Sequence, residues 1–288
     1  MNSSDSLRRF LFKDLGVRGE WVRLEASWQE AKQHQHANDC ALEQLGQALV
    51  AAVLLSATVK FNGSLILQAQ GNGAIKTVVA QSTQDRSIRG LVRSDDNVQA
   101  GSLTGMYGDG LIVLTIESEH AEPYQGIVKL QGNTFAEALQ TYFEQSEQLP
   151  TRLWLFANET YAAGLFLQEL PGAAKQTDAW ERLEILANTV TAQELFTLSC
   201  EDLLYRLFNQ ENVTLFDSES VKFSCHCSIQ KIERTLFSLG RQELEAILAE
   251  QHGCISVNCE FCNHQYVFDA IDVEKLLAEG SAYVEKLH

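Results

Sequence analysis

Basic residues are scarce in this 288-residue chain: 22 Lys+Arg stand against 38 Asp+Glu, a formal net charge of −16. Such a field repels phosphate backbones and argues against nucleic acid as a partner. There are only two methionines, so no binding surface can rest on flexible Met side chains. Long apolar runs are also missing. The best candidate, residues 48–59, is too short to span a bilayer and carries Ser56 and Thr58. Residues 6–13 faintly match a twin-arginine export signal, but Asp14, Arg18, Glu20, Arg23 and Glu25 follow where such a signal needs an unbroken apolar stretch. The expectation is a cytoplasmic protein with no membrane partner. Enzyme motifs are thin as well. The stretch Gly71-Asn72-Gly73-Ala74-Ile75-Lys76 lacks the third glycine of a dinucleotide fingerprint, and no phosphate loop or nucleophile elbow occurs. Gly105-Met106-Tyr107-Gly108-Asp109-Gly110 reads as a turn before a strand rather than a phosphate cradle. The chain is not expected to be an enzyme.

The length predicts about two domains at roughly 150 residues each. An apolar content of 45% and a charged content of 21% are those of a globular protein. All three prolines and most glycines precede residue 173. That shift sets the expected organisation: a core domain over 1–174, a helical linker over 175–221 and a small C-terminal domain over 222–288. In the first part, Asn38 and Asp39 can cap a helix carrying Leu42, Leu45, Leu49, Ala52 and Leu55 at helical spacing. Residues 64–70 and 74–80 flank Gly71-Asn72-Gly73 as a hairpin. Residues 111–116, 124–130, 152–157 and 161–168 read as strands, and 134–145 as a helix. The fold class is therefore α+β. Residues 175–215 hold three short helical patterns starting at Asp178, Thr191 and Ser199, each in or near capping-box form. At about 8–12 residues, such helices are not stable alone in water, so their order must come from packing.

The seven cysteines are unevenly placed. Cys40 and Cys200 stand alone, and five fall between Cys225 and Cys262. Cys225-His226-Cys227 and Cys259-Glu260-Phe261-Cys262 form a C-x-C and a C-x-x-C pair 31 residues apart. Two such knuckles supply four thiolates for one tetrahedral Zn²⁺. Cys254 could replace a ligand but makes a poorer knuckle; His264 and His226 could ligate in principle, yet the four thiols already fill the shell, and His34 and His36 would point apart on a helix. A thioredoxin-like couple is disfavoured, because residues 265–268 read as a strand after the second knuckle where that motif opens a helix. Thiolates are also the groups that oxidants attack, so the site has the chemistry of a switch as well as a structural staple.

These residues resemble a known family, the bacterial 33-kilodalton redox-regulated heat-shock chaperones. Val257-Asn258-Cys259-Glu260-Phe261-Cys262-Asn263 is similar to that family's second knuckle. The stretches Tyr142-Phe143-Glu144-Gln145-Ser146-Glu147-Gln148-Leu149-Pro150-Thr151 and Ala163-Gly164-Leu165-Phe166-Leu167-Gln168-Glu169-Leu170-Pro171-Gly172 extend the likeness into the first domain. The resemblance implies a reduced, inactive form in which Cys225, Cys227, Cys259 and Cys262 hold zinc. It further implies that oxidation pairs Cys225 with Cys227 and Cys259 with Cys262, releases zinc and unfolds the tail and linker. The result is an ATP-independent holdase for unfolding client proteins, dimeric when oxidised. Exposed Trp180, Leu183, Leu195, Phe196, Leu204 and Phe208 would then form a client surface. The competing reading is a constitutive zinc ribbon that binds RNA or a protein. Charge speaks against RNA, since residues 225–288 hold five Lys+Arg against ten Asp+Glu.

Overall fold

The structure is a computed structural model that describes residues 5–59, 62–118, 121–171 and 178–284. The expected 174/175 boundary and Gly172 lie outside the described residues. The chain divides into two compact units, Met1–Ser224 and Cys225–His288.

Unit 1 runs β1 (Ser6–Phe12), β2 (Val17–Leu24), α1 (Ala26–Gln33), α2 (Asp39–Thr58), β3 (Gly63–Gly71), β4 (Ile75–Thr83) and β5 (Ser87–Ser94). It continues with α3 (Leu103–Tyr107), β6 (Gly110–Ser118), β7 (Ala121–Lys129), α4 (Phe135–Tyr142), β8 (Thr151–Ala157) and β9 (Ala162–Glu169). Then come α5 (Ala179–Ala187), α6 (Ala192–Thr197), α7 (Cys200–Phe208), β10 (Val213–Ser220) and β11 (Lys222–Phe223). Unit 2 holds α8 (Ile229–Leu239), α9 (Arg241–Glu250), β12 (Cys254–Asn258), β13 (Gln265–Asp269) and α10 (Ala270–Val284). The mixed α+β class is as expected.

Two sheets share α2. One has the order β10-β1-β2-β9-β8, the other β11-β5-β4-β3-β6-β7. The helix starts where Asn38 accepts a hydrogen bond from the Ala41 amide, and 14 of its 20 residues are buried. By length and composition it could cross a membrane, which the run of residues 48–59 alone could not. Here it is a core helix, apolar on nearly all sides because a sheet lies against each flank. Close approach makes glycine necessary on both: a Cβ at Gly164 of β9 would lie 2.5 Å from Val50, and one at Gly90 of β5 would lie 2.8 Å from Leu45.

The first sheet is covered on both faces, so β9 has buried residues almost throughout. Alternation sends Val22, Leu24, Leu153, Leu155 and Phe166 to the α2 side. It sends Phe10, Phe12, Trp21, Leu165 and Leu167 to a second core under α5, α6 and α7. The short helices are therefore ordered by packing, as their length requires.

Local details differ from the sequence expectations at three places. Asp178 makes no capping hydrogen bond, whereas Thr191 and Glu194 complete a full capping box. The helix expected over 134–145 ends at Tyr142 and passes into a π-helical turn, Phe143–Glu147, which Gln148 ends in a left-handed conformation (φ 54°). The glycine-rich stretch over 105–110 begins inside α3, and the turn follows at Gly108 (φ 67°).

Candidate metal centre and the covered sheet face

The first knuckle lies between β11 and α8. Ser228, just past Cys227, caps α8 by accepting from the Lys231 amide. The second knuckle follows β12, and backbone bonds fold it tightly. The Cys262 and Asn263 amides donate to the Cys259 carbonyl at 3.3 and 2.7 Å, and the Cys259 amide donates to the His264 carbonyl at 2.9 Å. Asn263 takes the left-handed conformation (φ 54°) that turns the chain back into β13. A strand thus follows the knuckle, as the sequence indicated.

The fold brings Cys225, Cys227, Cys259 and Cys262 together, with all four Sγ atoms within 4.8 Å of one another. Cys225 and Cys259 approach to 3.7 Å, and Cys227 and Cys262 to 3.5 Å. A tetrahedron with metal–sulfur bonds of about 2.3 Å has edges of about 3.8 Å, so the donor set fits a single tetrahedral metal ion. Among the described residues, this is the one such cluster. Cys254 is exposed at the start of β12, opposite Asp269, and is not part of it. The ring of exposed His264 packs edge-on against Tyr266 at 4.7 Å, and the cluster does not include it.

Electrostatics point the same way. Burial pushes the thiols of Cys259 and Cys262 up, and the neighbouring cysteines push them further. At Cys227 burial also pushes upward, but hydrogen bonds from Tyr266 and the other thiols outweigh it and the net shift is down. Four crowded thiols cannot all ionise unaided; a divalent cation at their centre removes that obstacle.

The structure places the expected client-surface residues elsewhere, in unit 1. Leu183, Leu195, Phe196, Leu204 and Phe208 are buried in the second core, with Trp180 half-buried at its margin. Phe208 packs edge-on against Phe12 at 4.9 Å and 84°. The outward side chains are others, Ile185 on α5 and Tyr205 on α7. Polar ties rim the seam: Arg8 to Glu201 at 2.8 Å, Arg152 to Glu184 at 2.6 Å, and the Arg23 guanidinium to the Leu198 carbonyl at 2.9 Å. Sequence reasoning missed the sheet half of this core, Phe10, Phe12, Trp21, Leu165 and Leu167. Its only signal was the alternation in β1 and the unbroken apolar run of β9.

Comparison with known proteins agrees with this architecture. The family model described as Hsp33 protein matches residues 5–269. The 33 kDa chaperonin of Nitrosococcus oceani is 54% identical over 279 residues, covering 97% of this chain and 96% of that one. The 33 kDa chaperonin of Vibrio cholerae is 41% identical over 291 residues, 99% and 100% of the two chains. Among solved structures, the 33 kDa chaperonin (heat shock protein 33 homolog) of Thermotoga maritima superposes with a TM-score of 0.84 at 26% identity, covering 96% of this chain and 99% of that one. The chain belongs to the Hsp33 family of chaperones.

Proposed function

We propose that this chain is a cytoplasmic, ATP-independent holdase that oxidation switches on. The observation that carries the reading is the pairing of two features along the chain. A four-thiol site organises a unit with a small core, and two strands, β10 and β11, join that unit to three short helices that cover a large apolar sheet face.

Zn²⁺ is the metal this donor set suits best, and when bound it would hold the four sulfurs as thiolates and cross-link the two knuckles. Among the described residues, the core of unit 2 consists of five buried apolar residues, Leu236, Leu244, Ile255, Phe268 and Val273. A core in a unit this small supplies about 3–5 kcal/mol at most, whereas a structural metal contributes roughly 10–16 kcal/mol. Unit 2 then folds only while its thiols are available as donors.

Oxidation removes those donors. With hydrogen peroxide as oxidant, each pair of thiolates gives up two electrons to form one disulfide, and one peroxide takes them up with two protons from solvent to give two waters. The proposed pairs are Cys225–Cys227 and Cys259–Cys262. A C-x-C disulfide is strained and so is readily reduced again, which keeps the switch reversible. With unit 2 unfolded, β10 and β11 lead from it straight back to α5–α7, helices too short to persist once loosened. Their departure would uncover Phe10, Phe12, Trp21, Leu165 and Leu167 along with Trp180, Leu183, Leu195, Phe196, Leu204 and Phe208. This apolar surface is the proposed site for unfolding clients, and part of it is available for dimerisation. The net charge of −16 keeps such an open form dispersed.

Peptide mapping of the peroxide-treated protein, with zinc analysis on the same sample, tests the reading. The expected products are the two within-knuckle disulfides and loss of one zinc per chain. Full zinc retention after oxidation would overturn it in favour of a constitutive ribbon, and Cys225–Cys259 or Cys227–Cys262 bridges would overturn the pairing.

A further inference from the structure

β10 forms one edge of the first sheet, and its Glu219 anchors a charge network. Arg86, between β4 and β5, donates from Nε to Glu219 Oε2 at 2.9 Å and from Nη1 to Ser56 Oγ at 2.9 Å. The Arg9 guanidinium lies 2.8 Å from Glu219 Oε1 as an ion pair without hydrogen-bond geometry. The β1–β2 register sets Arg9 directly opposite Glu20, and the β1–β10 register sets Leu7 opposite Glu219, so Arg9, Glu20 and Glu219 share the face turned to α2.

Glu20 is only 3% exposed, and its Oε2 accepts no hydrogen bond. Burial pushes its carboxyl up to about 8, against the pull of Arg18, Arg9 and Arg86. Those arginines are engaged elsewhere. Arg18 bonds Gln168 and the Thr58 carbonyl, while Arg9 and Arg86 lean on Glu219. β9 sets the neutral Phe166 opposite Glu20, and α2 offers the arginines only the neutral Ser56 and Thr58. A buried carboxyl with an idle oxygen beside three cations is costly in this arrangement. It suits one in which Glu219 has gone.

We propose that Glu20 is the replacement counter-ion for Arg9 and Arg86 when β10, carrying Glu219, leaves the sheet. The inference rests on the proposed release of residues 175–221, since β10 lies within them. With β10 docked, Glu219 holds both arginines and Glu20 keeps its proton. On release, water reaches the site, Glu20 gives its proton to solvent and the carboxylate pairs with the arginines left behind. The closed form holds this proton up to about pH 8, whereas a solvated glutamate loses it near the ordinary value of 4.5. Between those limits each opening releases one proton. Raising the pH therefore favours the open form, by up to about tenfold per unit.

The test uses the full-length chain. Trp21, Trp154 and Trp180 lie in or beside the second core, so tryptophan emission reports release of α5–α7. The open-to-closed ratio is measured in mild urea from pH 6 to 8, and separately after peroxide. Wild type should show a ratio rising several-fold to tenfold per unit more steeply than Glu20→Gln, in which that component is absent. In Glu219→Gln the arginines are left to pull on Glu20, so its contribution should move to lower pH. Equal pH slopes in wild type and Glu20→Gln would overturn the proposal, as would an unmoved profile in Glu219→Gln. If peroxide leaves the emission unchanged while the urea data keep the Glu20-dependent slope, the oxidation reading falls and the assignment of Glu20 stands.

Discussion

Replacing Phe208 with alanine should release α5–α7 and expose the proposed client surface without touching the four-thiol cluster. Phe208 is the last residue of α7, 1% exposed, and meets Phe12 of β1 edge-to-face at 4.9 Å. Truncating a buried phenylalanine costs about 3–5 kcal/mol. Because α5, α6 and α7 have 9, 6 and 9 residues, they cannot absorb that loss by persisting alone. Release of the segment should rise between about 150-fold and a few thousand-fold, at roughly tenfold per 1.4 kcal/mol. Cys200 supplies the assay. It is the first residue of α7, 2% exposed, and burial pushes its thiol up to about 12, so a docked α7 shields it from alkylation. Iodoacetamide labelling of Cys200 under reducing conditions, read by peptide mass, should accelerate by that factor while zinc content stays at one per chain. Suppression of client aggregation should appear without oxidant. A Phe208→Ala chain with a lowered melting temperature but unchanged Cys200 labelling would refute the idea that α5–α7 open as a unit.

Cys259→Ser should abolish zinc binding and leave unit 2 without helix even under reduction, as read by zinc analysis and circular dichroism; one zinc per chain in that variant would move the ligand role to Cys254 or His264. Thr191→Ala removes the capping box of α6 at a cost of about 1 kcal/mol, so Cys200 labelling should rise only about fivefold. Acidification of the reduced protein should release zinc to a chelator steeply. All four donors must be thiolates, and burial opposes ionisation at Cys259 and Cys262. Retention independent of pH between 7 and 5 would contradict thiolate ligation.

Short-range chemistry was readable from the chain itself. C-x-C and C-x-x-C each bring two thiols together within a few residues, and the two pairs meet as expected. Asn38, Thr191 and Ser199 cap the helices they were expected to cap. Pairings set by distant neighbours were not readable. β1 pairs with β10 across about 200 residues, Phe12 facing Val213, and nothing local to residues 213–220 announces that partner. The apolar faces of α5, α6 and α7 were visible, but the sheet face beneath them was not, since half of it comes from β1 and β2. Glu20 was indistinguishable from any outward glutamate in an alternating strand. Its burial follows from β9 and α2 closing over β2, which is a property of the sheet order.

In the proposed switch, one event couples metal loss to exposure of the client-binding face. Its most direct test is a peroxide titration in which zinc release and suppression of client aggregation are followed in the same sample. Activity should rise in proportion to zinc released, and both should reverse on reduction with zinc restored. Full activity with zinc retained, or complete zinc loss without activity, would contradict it.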